Sequence, residues 1–362
     1  MRNGIAFFKP VFLLPALALA TVAIFSSCQK TSTTATDIGD WANVAQIGRQ
    51  PRTQAVSFKL STTPGDTSLY TGLGYNTYTG LRLADFYRFD EPTLTAYQVD
   101  SFPGTLRSGA AGFSIGAIGY VFGGFDGTYY LGDLYKFDPS QPAGQHPSAQ
   151  WTLVSTNAGP APRTNAVGFN IGNKGYIGFG VDSTNYGFND LWSFDGNTWT
   201  QEPSTGLSGR TASSVFVYGG LAYLVGGVNN GNYLPSLNAY NPATQTWMKK
   251  RNIINDGDSA YEADYGNNIT RSSAAVFVIN DTAYFTTGNF NGILNTTWAY
   301  DIGADQWFQK TSFEGVSRQG ATGFNINNHG YVVFGDNGSN CYSDMWQFYP
   351  DAAQTNNDNY AP

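Results

Sequence analysis

The sequence predicts an all-β ring of six four-stranded blades, a β-propeller, closed by an N-terminal strand that completes the last blade. Three observations carry this. One segment of the chain recurs six times, headed by arginines at 52, 107, 163, 210, 271 and 318, and a period near 50 residues decides an architecture before any local reading does. Aromatic residues make up 15% of the chain and glycines number 43, against 12% charged residues, which suits many short strands joined by tight turns. A tryptophan ahead of the first repeat, Trp41, stands where the last repeat lacks its own.

The innermost strand follows each arginine. "RTNAVGFNIGNKGY" begins at Arg163, "RSGAAGFSIGAIGY" at Arg107, "RTASSVFVYGGLAY" at Arg210, "RSSAAVFVINDTAY" at Arg271 and "RQGATGFNINNHGY" at Arg318, with a stretched version from "RTQAVSF" at Arg52. A phenylalanine always lies six residues on: Phe58, Phe113, Phe169, Phe216, Phe277 and Phe324. The third residue on is always alanine or serine. Successive side chains of a strand point to opposite faces, so a large face is expected to interlock with a small one at interior density.

The second strand carries a tyrosine thirteen residues after the arginine in five copies; in the first copy Tyr70 comes after eighteen, past an enlarged turn "TTPGD". Four residues after each tyrosine stands a glycine: Gly74, Gly124, Gly180, Gly227, Gly288 and Gly335. The third strand reads "DFYRFD" from Asp85, "DLYKFD" from Asp133, "DLWSFD" from Asp190, "SLNAYN" from Ser236, "TTWAYD" from Thr296 and "DMWQFY" from Asp344. A fourth strand brings one aromatic per copy: Tyr97, Trp151, Trp199, Trp247 and Trp307. Trp41 lies eleven residues before Arg52, as Trp199 does before Arg210. The N-terminal strand is therefore expected to close the ring and remove its exposed edges.

Units with "YVFGG", "YLVGG", "DLW" and a late tryptophan resemble the kelch repeat over about residues 38 to 350. The resemblance implies a six-bladed kelch propeller. Galactose oxidase, another kelch propeller, would imply a copper site of tyrosine and histidine ligands, but the chain has two histidines, too few to converge on a metal. His146 and His329 both map to the face opposite the arginines and read as solvated loop residues. No metal and no cofactor is expected. No glycine-rich phosphate loop opens a helix, and neither histidine is placed to serve a serine nucleophile.

Ahead of the propeller, Arg2 and Lys9 followed by "VFLLPALALATVAIF" read as an export signal over residues 1–27; the apolar run is short for a membrane-spanning helix. The stretch "IFSSC" resembles a bacterial lipoprotein signal, which implies lipidation of Cys28, with "QKTSTTATD" as a polar tether in residues 28–37. Gln29 then points to the outer membrane of a bacterial cell envelope. The other cysteine is Cys341, so no disulfide framework is available. Residues 351–362 form a polar C-terminal tail.

The net charge of -7 argues against a nucleic-acid partner and against anionic lipid surfaces, so membrane attachment is expected through the anchor alone, on a monomer. The arginines remain as candidates. Arg52, Arg107, Arg163 and Arg318 are expected to ring one mouth of the central channel, each braced by Asp85, Asp133, Asp190 or Asp344 in a two-pronged contact. Arg210 and Arg271 lack that aspartate, having Ser236 and Thr296 instead. An insertion in residues 252–268 follows the fourth blade, and its Tyr261, Glu262, Asp264 and Tyr265 read either as a solvated acidic loop or as a lid over a sugar.

The expected function is a non-catalytic binding module for a protein or glycan at the cell envelope, with Arg210 and Arg271 as ligand-binding residues. The alternative is a carbohydrate-active enzyme, by analogy with the exported kelch epimerase that interconverts N-acetylneuraminate anomers. There Arg210 and Arg271 would hold the substrate carboxylate and Glu262 would transfer the proton.

Overall fold

The computed structural model describes residues 38–355 except 49, 64–65, 146, 155–157 and 256–268, together with Met1. Cys28, the export signal, the tether, His146 and the insert residues Tyr261, Glu262, Asp264 and Tyr265 lie outside the described residues. The chain divides into two units, Met1–Thr36 and Asp37–Pro362, and every element below belongs to the second.

Among the described residues there is no helix. Six four-stranded sheets form the blades, with two further two-stranded hairpins. Blade 3 is representative: Val167–Ile171, Lys174–Gly178, Leu191–Phe194 and Trp199–Gln201 run antiparallel in that order from the channel outward. In blades 2 to 6 two-residue turns join the first two strands, and they use residues that tolerate a left-handed backbone, such as Gly219–Gly220 at φ 57° and 76° and Asn327–Asn328 at φ 46° and 66°. Blade 6 takes its outermost strand from the other end of the chain. Asp40–Gln46 pairs antiparallel with Asp344–Tyr349, Trp41 opposite Phe348, with a bulge between Asn43 and Ala45. The ring is closed as the lone early tryptophan predicted.

The hydrophobic core is not one mass but six, each lying between two neighbouring blades. The repeated phenylalanine and tyrosine explain how. They are cross-strand partners on one face of each blade, and their rings stack within 20° of parallel, as in Phe169–Tyr176 at 5.0 Å and 7° or Phe216–Tyr223 at 4.7 Å and 4°. Large meets small across five of the six interfaces, and the small residue under the phenylalanine ring is not the alanine near the arginine. It is the residue before the tyrosine of the next blade, glycine or alanine in blades 2 to 6, whereas blade 1 carries Leu69 there, in one cluster with Phe324. A Cβ on Gly175 would lie 1.9 Å from the Phe113 ring, and one on Gly119 2.1 Å from that of Phe58. Ala222 and Ala283 share clusters with Phe169 and Phe216 in the same way. The alanines expected in that role, Ala55, Ala110, Ala166, Ala274 and Ala321, are half-buried: each packs against the edge of the cluster that holds the preceding blade's phenylalanine and also lines the channel mouth.

Polar links reinforce the closing interface between blades 6 and 1. His329, expected to be simply solvated, opens the strand His329–Val333 and places Nδ1 2.6 Å from Glu91 Oε1. Glu91 also accepts from Asn327 Nδ2 at 3.1 Å and Tyr331 Oη at 3.1 Å. Burial alone would raise the Glu91 carboxyl, but these hydrogen bonds and the nearby His329 outweigh it and hold it below its ordinary value of 4.5. The start of the C-terminal tail is also held: Thr355 donates to Asp40 through its amide at 2.9 Å, and Gly39 N donates to Ala352 O at 3.0 Å.

Candidate binding face

The loops at the arginine end of the channel are built on a repeated backbone circuit. The residue two after each arginine adopts a left-handed conformation in all six blades: Gln54, Gly109, Asn165, Ala212, Ser273 and Gly320, with φ between 51° and 64°. Each donates its amide to the carbonyl of its counterpart in the preceding blade. Asn165 N reaches Gly109 O at 2.8 Å, Ala212 reaches Asn165 at 3.1 Å, and Gln54 N closes the circle on Gly320 O at 3.0 Å. The six amides and six carbonyls thus satisfy one another around the mouth. A second circle lies outside it, in which the repeated glycine donates to the carbonyl of the next arginine, for example Gly180 N to Arg210 O at 2.8 Å. At Gly180, φ is +86° and an added Cβ would sit 2.8 Å from Thr164 O and 3.0 Å from Ala166 Cα. Glycine and a small residue are both required for the chain to pass here.

The arginines lie behind this circle, not at the mouth. All six are at most 2% exposed, which corrects the expectation that Arg52, Arg107, Arg163 and Arg318 line the opening. Arg163 shows the arrangement. Nε donates to Ala161 O at 2.9 Å and Nη1 to Phe179 O at 3.0 Å, while Nη1 and Nη2 grip Asp190 at 2.6 and 2.9 Å. The guanidinium lies 3.9 Å from the centre of the Phe188 ring. Arg107 and Arg318 pair likewise with Asp133 and Asp344, whereas Arg52 meets Asp85 through the single contact Nη2 to Oδ2 at 2.7 Å, its Nη1 going to Leu73 O and Asp85 O, so the expected two-pronged contact is not made there.

Arg210 and Arg271 keep the carbonyl contacts and lose this aspartate. Arg210 Nη1 reaches Gly226 O at 3.2 Å and Ser236 Oγ at 2.9 Å. Arg271 Nη1 reaches Thr287 O at 2.9 Å and Thr296 O at 2.8 Å, and its Nη2 reaches Thr296 Oγ1 at 2.7 Å. Burial pushes their pKa values down to about 10 and about 9, so both stay charged at neutral pH. With 2% and 0% of their surface exposed, neither presents its guanidinium to a ligand in this conformation.

What the face does present is aromatic. The link between the second and third strands carries a tyrosine at its tip in three successive blades, Tyr78, Tyr129 and Tyr186, exposed by 85%, 69% and 74%. Side chains within each loop fix the turn that displays the ring. Asn76 Oδ1 accepts from the amides of Tyr78 and Thr79, both at 3.0 Å, and Asp126 Oδ1 from those of Tyr129 at 2.6 Å and Thr128 at 2.7 Å. Asp182 Oδ1 accepts from Thr184 N at 2.8 Å, and Thr184 Oγ1 in turn accepts from Tyr186 N at 3.3 Å. The two amide bonds hold the Asp126 carboxyl below its usual range. Between the first two of these loops lies Arg82. Its Nε donates to Phe125 O at 2.8 Å, and its guanidinium sits 5.2 Å from the Tyr75 ring and 5.1 Å from the Phe125 ring.

Other aromatics of these links are engaged within the protein. Tyr233 of blade 4 donates its hydroxyl to Asn289 Oδ1 at 2.6 Å and packs on Phe290, and Tyr342 of blade 6 covers Arg318 at 4.3 Å. Sequence reasoning missed the three displayed tyrosines. The signal was there in "NTYTG", "DGTYYLG" and "STNYGFND", each an Asn, Asp or Ser turn around an aromatic at the same point of the repeat. Among the described residues no three His, Cys, Asp or Glu side chains gather as metal ligands.

The family described as the KLHDC2/KLHL20/DRC7 Kelch-repeats domain matches residues 59–263, over half of the chain. Among solved structures, one titled "Structure of YjhT" aligns with a TM-score of 0.65 at 16% identity, covering 83% of this chain and 95% of the other. At that identity the likeness is one of fold. No curated protein matches the chain.

Proposed function

The chain belongs to the kelch-repeat family, and from that premise we propose that it is a binding module holding a protein segment or a glycan on the rim of Tyr78, Arg82, Tyr129 and Tyr186. Propellers host enzymes and adaptors alike, so the fold does not choose. The observation that supports binding is the display of three tyrosines on neighbouring blades by turns already fixed through their own hydrogen bonds. A tyrosine offers a large flat surface and a hydroxyl while losing few rotamers on contact, and a pinned loop reduces the ordering cost further. Arg82 adds a cation held in place between two rings. The reading as an acidic-sugar epimerase would need Arg210 and Arg271 open to substrate, and their burial disfavours it.

The proposal includes a place in the cell. Residues 1–27 direct export, Cys28 carries the lipid and residues 28–37 tether a monomeric propeller to the outer membrane of a bacterial envelope. Mass spectrometry of the membrane fraction is expected to find acylated Cys28; a soluble, unmodified chain would remove this part.

The rim itself is tested with the triple variant Tyr78→Ala, Tyr129→Ala, Tyr186→Ala, compared with the parent on a glycan array and in pull-downs from envelope extracts. The parent should retain specific partners and the variant should lose them at an unchanged melting temperature. Retention of every partner by the folded variant would sink the assignment.

A further inference from the structure

The centre of the ring holds a second feature, unrelated to the tyrosine rim. A cavity of about 390 Å³ occupies the channel, within the range of roughly 300–1,000 Å³ typical of small-molecule sites. The residues seven after each arginine face it, and they divide by chemistry. Asn325, Lys59, Ser114 and Asn170, from blades 6, 1, 2 and 3, form a polar arc; Val217 and Val278, from blades 4 and 5, form an apolar one opposite.

Lys59 is the one charged side chain among those lining the cavity. Its Nζ donates to Asn325 Oδ1 at 3.0 Å, and no ion pair among the described residues involves it. Protein surrounds it on nearly all sides, yet its surface is exposed because what it faces is the channel. This enclosure lowers the ammonium pKa by desolvation, a cost that a bound anion would relieve. Across the channel Val217 is 37% exposed, an apolar surface that a hydrocarbon chain would cover favourably.

We propose that the channel is a binding site for a small amphipathic carboxylate, its acid group on Lys59 and Asn325 and its apolar chain against Val217 and Val278. One cation suits one negative charge. With Asn325 Oδ1 occupied by Lys59, the Asn325 amide nitrogen is left to donate to the second carboxylate oxygen. The apolar arc then selects for a chain in addition to the acid, since the polar arc alone would hold acetate equally well.

The test is calorimetric titration of the full-length chain with hexanoate, with acetate, hexan-1-ol and hexylamine as comparators. Hexanoate should bind about tenfold more tightly than each comparator. Lys59→Met should remove its advantage over hexan-1-ol, Lys59→Arg should keep it, and Val217→Asn should reduce its advantage over acetate. Thermal melting confirms that each variant is folded. Hexanoate binding no better than the comparators, or an advantage that survives Lys59→Met, would overturn the proposal, as would the absence of any heat up to tens of millimolar.

Discussion

Arg163 and Asp190 meet through two parallel contacts, Nη1 to Oδ1 at 2.6 Å and Nη2 to Oδ2 at 2.9 Å, with the arginine side chain wholly buried and the aspartate 18% exposed. The same guanidinium also holds Phe179 O and Ala161 O, so one side chain ties the entry of the innermost strand to the ends of two others. Removing one partner of a buried pair leaves the other charge uncompensated, at a cost of about 3–5 kcal/mol. Asp190→Ala is therefore expected to lower stability to chemical denaturation by about this amount. A loss under ~1 kcal/mol, the worth of a surface pair, would show that the brace is decorative.

Blade 4 supplies the reverse experiment. Asn238 takes the position from which Tyr87, Trp192 and Trp346 donate to their aspartates, but with Ser236 in place of the acid its Nδ2 is buried without an acceptor. Ser236→Asp would offer one carboxylate to both Arg210 and Asn238. A hydrogen bond to a charged group contributes about 1.5–3 kcal/mol, so the variant should be more stable than the parent by roughly that amount. A destabilised variant would mean that the slot does not accept the acid the other four blades carry.

Ring closure rests on Trp41, which is fully buried, packs edge-on against Phe313 at 5.0 Å and donates Nε1 to Thr311 O at 3.3 Å. Trp41→Ala should cost about 3–5 kcal/mol, and deleting residues 38–46 should destabilise blade 6 more severely still. Unchanged melting on deletion would contradict the closure.

Glu91 makes the closing interface sensitive to acid. Its pKa in the folded protein lies below 4.5, its ordinary value, so the stability it contributes is fully present above 4.5 and is lost as pH falls through the lower folded value. Glu91→Gln should be less stable than the parent at pH 6, and the difference should shrink as pH falls below 4.5. A gap that stays constant across this range would assign the effect to packing instead of ionisation.

Much of the fold was legible because its determinants are local spacings. The phenylalanine at six and the tyrosine at thirteen fall opposite each other in a hairpin, and the aspartates matched to four arginines sit at one point of the repeat. What was not legible depends on the neighbouring blade. Nothing near Phe113 in sequence reveals that its ring lies over Gly175, and nothing near Arg210 reveals that a circle of backbone bonds stands between it and the channel. The displayed tyrosines were hidden for the same reason. Tyr233 and Tyr186 both lie in the link between the second and third strands, but Tyr233 pairs with Val228 and donates to Asn289 of the next blade, whereas Tyr186 stands one residue before Gly187, the partner of Val181.

The binding rim can be tested directly even while its ligand is unidentified. A photo-crosslinking residue placed at position 129 on the rim, or at position 97 on the outermost strand of blade 1, where Tyr97 is also exposed, reports which surface meets a partner in the living cell. A discrete crosslinked product is expected from position 129 and none from position 97. Products from position 97 with none from position 129 would contradict the assignment of the rim.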